Sequence, residues 1–457
     1  MTNPPKTRRE AASYRDPSGF VFYQGGKVFR QINKQGIGDF QKFLSSGLAD
    51  RLKSEKLLVN FNITDSTSEK IIIEAEKIPF ITYPYEWSFS QLREAALTTL
   101  KINRTALDYD MILKDASAFN IAFFQGKALF IDHTSFTCCS QNGLWKAYKQ
   151  FCTNFLAPLY LMKYSDMRCL DLFKSDINGI QLDFASRLLP WYTCFVPSVL
   201  MHIHLHAKFD SHYSADKNFS GTSEMPLKRL KNFMDGMIEQ ISSLSLPEKN
   251  TLWGKYYQYT NYTEESFECK RQTVRDFCSH YGTGTVLDLG ANTGVFSEIA
   301  AEYAEKVIAI DTDPTAVEHL YQLSRERFAN IYPARLDLFN PTAALGLFNQ
   351  ERSSFFSRCE CDCVLGLALI HHLRVTGNWQ TDDIVKLFSA TGKYALVEFV
   401  PLDDEQMQQL VRGRESIYND WNIDNVLEQF RREFAFVSTS ELPDSGRIMI
   451  KLAKEKS

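Results

Sequence analysis

The stretch Val286–Ser297, VLDLGANTGVFS, decides the fold of the C-terminal half of the chain. It is typical of a buried strand that runs through a glycine-containing turn into a helix. Gly290 lets the backbone approach a ligand because it has no Cβ, and Gly294 permits close packing of the helix on the strand. In an open α/β sheet, ligands bind at such turns, beyond the carboxyl ends of the strands. The stretch therefore predicts a ligand site on a Rossmann-type sheet.

The sequence around this stretch alternates between strand and helix patterns. Such alternation is typical of a parallel, doubly wound sheet. The predicted fold class is therefore α/β for a C-terminal domain over residues 251–457. We predict strands over 285–289, 306–310, 331–335, 362–367 and 393–399, and helices over 269–280, 294–303, 314–328 and 381–389.

Three acidic residues lie at or just beyond the ends of the first three predicted strands. Asp288 can attract the ammonium group of a bound amino acid, and Asp311, which ends VIAID, can accept two hydrogen bonds from a ribose diol. Asp337, in ARLDLF, can accept from an adenine amino group. Together these groups fit S-adenosylmethionine, which has no phosphate. The predicted cofactor-binding residues are Asp288, Gly290, Asn292, Gly294, Asp311 and Asp337.

The alternative ligand of such a turn is a nicotinamide dinucleotide. That site would have the pattern G-x-G-x-x-G, but Asn292 stands where its middle glycine would fall. Asn tolerates left-handed backbone geometry, so the turn itself can form. An acid within the turn would also repel a pyrophosphate, which favours S-adenosylmethionine.

Residues 253–457 resemble class I S-adenosylmethionine-dependent methyltransferases. The stretch Cys361–Leu373, CDCVLGLALIHHL, is similar to the fourth motif of that family, and Gly392–Pro401, GKYALVEFVP, resembles the strand that follows. Trp253–Tyr257, WGKYY, with Lys270, resembles the lead-in of a bacterial subgroup labelled nodulation-protein-like or ribosomal-protein-L11-methyltransferase-like. The resemblance implies that the first acid and the glycines bind the methionine end of the cofactor.

Candidate residues for the transfer step follow the fourth and fifth predicted strands. His371, His372 and Glu398 are the predicted catalytic residues, because a protonated acceptor needs a group that takes up its proton. The alternative is that one histidine is a structural hydrogen-bonding group. The resemblance implies an acceptor that is a small molecule, a saccharide-like compound or a protein side chain.

The N-terminal half is predicted as an α+β accessory domain over 17–210. Its segments Lys114–Phe123, KDASAFNIAF, and Gly126–Asp132, GKALFID, resemble the catalytic segment of protein-kinase-like folds. The resemblance implies a nucleotide or phosphotransfer site with ATP and magnesium. Its residues would be Asp115, Asn120, Asp132 and Arg30. The alternative is an accessory domain that recognises the methyl acceptor.

The charge and composition of the chain indicate which partners and which location to expect. A net charge of -4 over 457 residues gives no reason to expect a nucleic-acid partner. No apolar signal segment or membrane span is visible, and ten cysteines without framework spacing predict reduced thiols, no metal and a cytoplasmic location. We expect a flexible tail over 1–16 and a linker with a helix over 211–250. The sequence predicts no oligomeric state.

The sequence is compatible with three functions. The first is a methyltransferase with an accessory domain. The second is a bifunctional or regulatory protein whose kinase-like domain binds nucleotide and phosphorylates a substrate or gates methyl transfer. The third is a binding module that senses the cofactor without turnover.

Overall fold

The structure is a computed structural model that describes residues 8–139, 144–208, 225–246 and 262–455. The chain divides into two compact units. The first contains residues 1–248 together with 344–353, and the second contains 249–343 and 354–457. The predicted domain boundary at 250/251 lies outside the described residues. The lead-in segment Trp253–Tyr257 lies outside the described residues.

The first unit contains an antiparallel sheet of five strands in the order β1-β2-β3-β5-β4. Two separate antiparallel pairs, β6 with β9 and β7 with β8, follow it along the chain. The strands are β1 (Arg8–Arg9), β2 (Gly19–Gln24), β3 (Lys27–Asn33), β4 (Phe61–Ser66), β5 (Lys70–Ala75), β6 (Met111–Leu113), β7 (Ile121–Phe124), β8 (Lys127–Phe130) and β9 (Phe136–Cys138).

Nine α-helices of the described first unit pack on these strands and on each other. In the longest, Ser88 caps the N-terminus and forms a capping box with Gln91, which satisfies free backbone N–H groups. The helices are α1 (Lys34–Ser45), α2 (Leu48–Ser54), α3 (Phe89–Ala106), α4 (Tyr148–Phe151), α5 (Ala157–Tyr164), α6 (Leu172–Ser175), α7 (Leu182–Leu188), α8 (Pro197–Val199) and α9 (Leu227–Ser242). Two π-helical segments, Cys152–Leu156 and Leu200–Leu205, extend α4 and α8.

Two segments outside the predicted accessory domain of 17–210 make contacts within the first unit. The described part of the predicted tail is ordered by local contacts, because Arg8–Arg9 pairs with β2 and the Arg9 guanidinium lies over the Phe20 ring. The helix in the predicted linker belongs to the first unit, since α9 packs against α3 and Arg104 pairs with Asp235. The rest of that linker, 209–224 and 247–261, lies outside the described residues.

The second unit is built on a seven-stranded sheet in the order β12-β11-β10-β13-β14-β16-β15. The first five strands in this order are parallel, as predicted, whereas β16 and β15 run antiparallel and were not predicted. The strands are β10 (Thr285–Leu289), β11 (Lys306–Asp311), β12 (Ile331–Arg335), β13 (Cys363–Gly366), β14 (Tyr394–Phe399), β15 (Phe436–Glu441) and β16 (Ile448–Ala453).

Helices cover both faces of this sheet, as in a doubly wound fold. The core on one face brings Val286, Val307 and Leu396 together with Phe277, Phe296 and Leu320 from three helices. The helices are α10 (Glu264–Tyr281), α11 (Val295–Ala301), α12 (Pro314–Glu326), α13 (Phe355–Arg358), α14 (Ile370–Val375), α15 (Thr381–Thr391), α16 (Glu405–Val411) and α17 (Ile423–Glu433).

A short segment between β12 and β13, residues 344–353, belongs to the first unit rather than to the sheet that flanks it in sequence. Glu351, which is 2% exposed, accepts from Arg15 and Tyr14. The segment itself contains a short 3-10 helix, Leu347–Asn349, and a bridge between Leu345 and Arg352. Among the described residues, no helix is both long enough and apolar enough to cross a bilayer.

Candidate functional site

The turn after β10 has the geometry of a ligand-binding loop. Gly290 has a φ of 72°, Asn292 of 48° and Gly294 of 95°, so three of its residues are left-handed. A Cβ at Gly290 would make an ordinary van der Waals contact with Leu369 Cδ1, at 3.5 Å, so the positive φ, and not a lack of space, is what favours glycine here. Asn292 adopts the geometry expected of it, since Asn tolerates this region better than most residues.

Gly294 fills its predicted packing role with a different partner. A Cβ there would lie 2.7 Å from Leu320 Cδ2 and 3.0 Å from Leu323 Cδ2, both on α12. The glycine therefore permits close approach of two helices, not of a helix and a strand as the sequence suggested.

Asp288 lies beneath this turn and is 2% exposed. Its Oδ2 accepts a hydrogen bond of 2.6 Å from the Ser297 hydroxyl on α11. Burial raises the pKa of Asp288 to about 6, although the Ser297 hydrogen bond opposes the shift. A buried carboxylate of this kind is poised to pair with a cation.

Asp311 is the last residue of β11, and its carboxylate accepts a hydrogen bond from the turn after β10. Its Oδ2 accepts from the Asn292 N–H at 2.8 Å, and its Oδ1 accepts from the Asp313 N–H at 2.8 Å. Burial raises the pKa of Asp311 to about 6 against these backbone hydrogen bonds. The backbone of Thr312 also hydrogen-bonds this carboxylate, and of its about four acceptor sites one remains that a ribose hydroxyl can use.

Asp337 follows β12 by two residues and is half-buried. Its Oδ1 accepts from the Phe339 N–H at 2.9 Å. Because β12, β11 and β10 are neighbours and parallel, Asp337, Asp311 and Asp288 lie in turn along one edge of the sheet. This edge is where open α/β sheets bind ligands.

Glu398, on β14, lies at the centre of a buried charge cluster. It pairs with Lys270 Nζ at 2.6 Å and with Arg447 Nη1 at 3.3 Å, and it accepts from the Tyr262 hydroxyl. Arg447 also pairs with Asp404 at 2.8 Å. Burial would raise the pKa of Glu398, but the two cations hold it below its usual value.

The two histidines differ in their surroundings. His371 is 1% exposed, and neither of its ring nitrogens finds a hydrogen-bond partner among the described residues. His372 is partly exposed, and their ring centroids lie 4.2 Å apart. Burial and the charge of Arg447 lower the pKa of His372 to about 4. Burial, with His372 and the cations Arg447 and Lys270, also holds the pKa of His371 well below its usual value. Both rings are therefore neutral at physiological pH.

The four residues singled out in the first unit lie in one polar cluster. Arg30 Nη1 lies 2.5 Å from Asp132 Oδ1, and Ser135 Oγ donates to Asp132 Oδ2 at 2.5 Å. Burial would raise the pKa of Asp132, but Arg30 and the hydroxyl donors lower it. Asp115 hydrogen-bonds Asn120, and burial and the nearby Asp132 raise the pKa of Asp115.

The donors around Asp132 are concentrated on Oδ1, whereas Oδ2 accepts from Ser135. Asp132 Oδ1 also accepts from the Thr134 hydroxyl at 2.8 Å and from its N–H at 3.1 Å. In the described ranges, no group of three or more His, Cys, Asp or Glu side chains is arranged to hold a metal ion. The carboxylate is therefore used for an internal ion pair.

Sequence reasoning missed three members of the Glu398 cluster. Tyr262, Asp404 and Arg447 come from the start of α10, the start of α16 and the residue before β16. The local sequence signal for this cluster is Arg447, which stands beside the apolar run of GRIMI. An arginine that is buried with such a run needs a partner of opposite charge. Its partners are 43 to 185 residues away in sequence.

No family model matches the chain. Among solved structures, the N-methyltransferase NodS from Bradyrhizobium japonicum WM9 is 14% identical, over 42% of this chain and 99% of its own, with a TM-score of 0.30. The bifunctional kinase-methyltransferase WbdD is 17% identical, over 43% of this chain and 41% of its own, with a TM-score of 0.30. The methyltransferase domain of bacterial CtHen1-C is 13% identical, over 42% and 100%, with a TM-score of 0.28.

A much longer match is found with nodulation protein NoeA of Rhizobium meliloti (strain 1021). The two sequences are 31% identical over 458 residues, which span 97% of this chain and 96% of the relative. Both units are therefore shared with that protein. The chain belongs to the family of nodulation protein NoeA.

Proposed function

We propose that the second unit is an S-adenosylmethionine-dependent methyltransferase. The observation that carries this proposal is that two buried acids, Asp288 and Asp311, lie on neighbouring parallel strands beside the left-handed turn at Gly290. Asp288 would pair with the methionyl ammonium, Asp311 would accept from the ribose hydroxyls, and the turn at Gly290 would lie against the methionyl group. When bound, S-adenosylmethionine supplies an electrophilic methyl group on a positively charged sulfur.

The charges of the pocket suit a cationic ligand. Two carboxyl groups with pKa values raised to about 6 gain most from a ligand that brings positive charge, because ionised carboxylates in a buried site need a counter-charge. A dinucleotide would bring a negatively charged pyrophosphate to the same acids. The methionyl group would lie between the turn at Gly290 and the side chain of Leu369. Asp337 is the proposed partner of the adenine amino group.

The acceptor side of the proposed site lies at the start of α14. His372 is the better candidate for contact with the acceptor, because it is partly exposed whereas His371 is buried. Its neutral ring can accept a hydrogen bond from a hydroxyl or an amine, although a pKa of about 4 makes it a weak base. The acceptor class is the one expected from the family resemblance, a small molecule or saccharide-like compound, with a protein side chain as the alternative. The relative NoeA is named a nodulation protein, and we assign the proposed reaction to that process.

Calorimetry with S-adenosylmethionine and S-adenosylhomocysteine tests the proposal. Wild-type chain should bind both, and Asp311→Ala should lose affinity by about 1–3 kcal/mol, because unpaired ribose hydroxyls lose their hydrogen bonds. Asp382→Ala, an exposed acid on α15, is the matched control and should bind normally. Equal binding by Asp311→Ala would remove the ribose assignment.

Transfer of a labelled methyl group into a cell extract separates an enzyme from a cofactor sensor. An active methyltransferase labels an extract component, and His372→Ala should lower that labelling while cofactor binding persists. Binding without any labelling would favour the sensor.

A second candidate function concerns the first unit, which we propose as a nucleotide-binding or phosphotransfer module. The observation in its favour is the meeting of Arg30, Asp115, Asn120 and Asp132 in one cluster. Arg30 already pairs with the charge of Asp132 and Ser135 donates to its other oxygen, which favours nucleotide binding over phosphotransfer through a metal ion on Asp132. A thermal shift with ATP and magnesium that disappears in Asp115→Asn, while this variant without ligand unfolds at the same temperature as the wild type, would support this function. The absence of any shift would reject it.

A further inference from the structure

The carboxylate of Glu398 has no lone pair left for a reacting group. An ionised carboxylate offers about four acceptor sites. Glu398 Oε2 uses its sites for Lys270 Nζ at 2.6 Å and the Ala368 N–H at 2.9 Å. Oε1 uses its sites for the Tyr262 hydroxyl and for Arg447. With an exposed fraction of 0%, the side chain is also closed to solvent.

One of these four donors is the backbone of a turn beside the cofactor pocket. Ala368 has a φ of 48°, a left-handed geometry that its Cβ disfavours through contact with the following carbonyl oxygen. The next residue, Leu369, lies over Gly290, since its Cδ1 is the atom nearest to a Cβ built there. The turn at Ala368 therefore forms the wall that faces the methionyl part of the proposed pocket.

We propose that Glu398 is a positioning residue rather than the predicted catalytic residue. It fixes Ala368 in its left-handed turn and so shapes the pocket wall opposite Gly290. This inference rests on the proposed function, because its effect is on the binding of S-adenosylmethionine and S-adenosylhomocysteine.

The buried charges around Glu398 balance one another. Lys270 and Arg447 carry two positive charges, and Glu398 and Asp404 carry two negative charges, all with side chains no more than 5% exposed. Buried charges persist when each has a partner. Because Arg447 directly precedes β16, the C-terminal antiparallel hairpin supplies one side of the cluster. The pocket wall thus depends on a segment far from the cofactor turn in sequence.

The test removes the acceptor of the Ala368 N–H without leaving an isolated charge. The double variant Lys270→Met/Glu398→Leu removes one charge of each sign and keeps the Arg447–Asp404 pair. Without the carboxylate, Ala368 relaxes from its left-handed geometry, and binding must restore it. We expect affinity for S-adenosylhomocysteine, measured by calorimetry, to fall by about tenfold.

Ala368→Gly added to this variant should restore the affinity, because glycine adopts positive φ without the Cβ contact. The matched control is Asp444→Gly in the same background. Asp444 is also left-handed, but it is exposed and lies in the β15–β16 turn. It should restore nothing. Thermal unfolding of each variant shows that the second unit remains folded.

The outcomes are distinct. Weakened binding rescued by Ala368→Gly and not by Asp444→Gly supports the positioning role. Unchanged affinity in the double variant, or a loss that neither glycine repairs, overturns it. Failure of the wild-type chain to bind S-adenosylhomocysteine would instead contradict the proposed function itself.

Discussion

The backbone N–H of Asn292 donates a 2.8 Å hydrogen bond to the carboxylate of Asp311, which ties the turn after β10 to the end of β11. The same carboxylate also accepts from the N–H of Asp313 at 2.8 Å. Its position is therefore fixed by two backbone groups before a ligand arrives. A preorganised acceptor costs less to use, because little side-chain freedom is lost on binding.

Affinity for S-adenosylmethionine should depend on pH. Asp288 and Asp311 have pKa values raised to about 6, so both are ionised above that pH and become neutral below it. A neutral acid no longer attracts the positive cofactor, and affinity should fall by up to about tenfold per pH unit and per group below 6. Calorimetry from pH 8 to pH 5 measures this. Asp288→Asn should reduce the slope, and constant affinity over the range would contradict the assignment.

Gly294→Ala should destabilise the second unit. The new Cβ would lie 2.7 Å from Leu320 Cδ2, and the φ of 95° does not suit alanine. We expect a loss of about 1–3 kcal/mol in the free energy of unfolding, measured in urea. Gly236→Ala on α9 is the control, because a Cβ there meets nothing within 4 Å. It should be neutral or stabilise the chain by up to about 1 kcal/mol. Equal effects of the two variants would argue against the tight contact.

Asp132→Asn should destabilise the first unit by about 3–5 kcal/mol, because Arg30 would be left as a buried cation without its partner. Arg30→Met should have a cost of its own. The double variant should cost less than the sum of the two, since neither charge then remains. Chemical denaturation of all three variants gives the coupling energy. Strictly additive losses would mean that the ion pair is not a unit.

Glu351→Ala should weaken the first unit although the residue lies between two strands of the second sheet in sequence. Glu351 is buried and accepts from Arg15, Tyr14 and the Leu347 N–H, so its loss removes the contacts that hold the exposed Arg15 and Tyr14 against this segment. Hydrogen exchange should accelerate over residues 8–16 and stay unchanged in β10–β13. Glu360→Ala, at an exposed position nearby in sequence, should change neither region. Faster exchange in β10–β13 instead would contradict the division into units.

The parallel part of the second sheet was predictable because its strands are short, mostly apolar runs that alternate with helix patterns along the chain. The strand Ile331–Arg335 was predicted to the residue. The antiparallel strands β15 and β16 were missed, since Phe436–Glu441 is largely exposed and carries polar residues on both faces. An edge strand of this kind has no apolar alternation from which to recognise it.

The site was predictable only where function depends on local sequence. Gly290, Asn292 and Asp311 lie in or beside one turn, so their spacing carries the geometry. The surroundings of Glu398 depend on long-range packing instead. Arg447 and Tyr262 meet it across 49 and 136 residues, and no local pattern encodes such a meeting. The same holds for Glu351 and Arg15, which are 336 residues apart.

A crystal structure of the chain with S-adenosylhomocysteine tests the central claim most directly. We expect the ribose hydroxyls on the Asp311 carboxylate, the methionyl ammonium near Asp288 and the backbone of Gly290 against the ligand. A ligand bound elsewhere, or a dinucleotide held at this turn in its place, would contradict the claim.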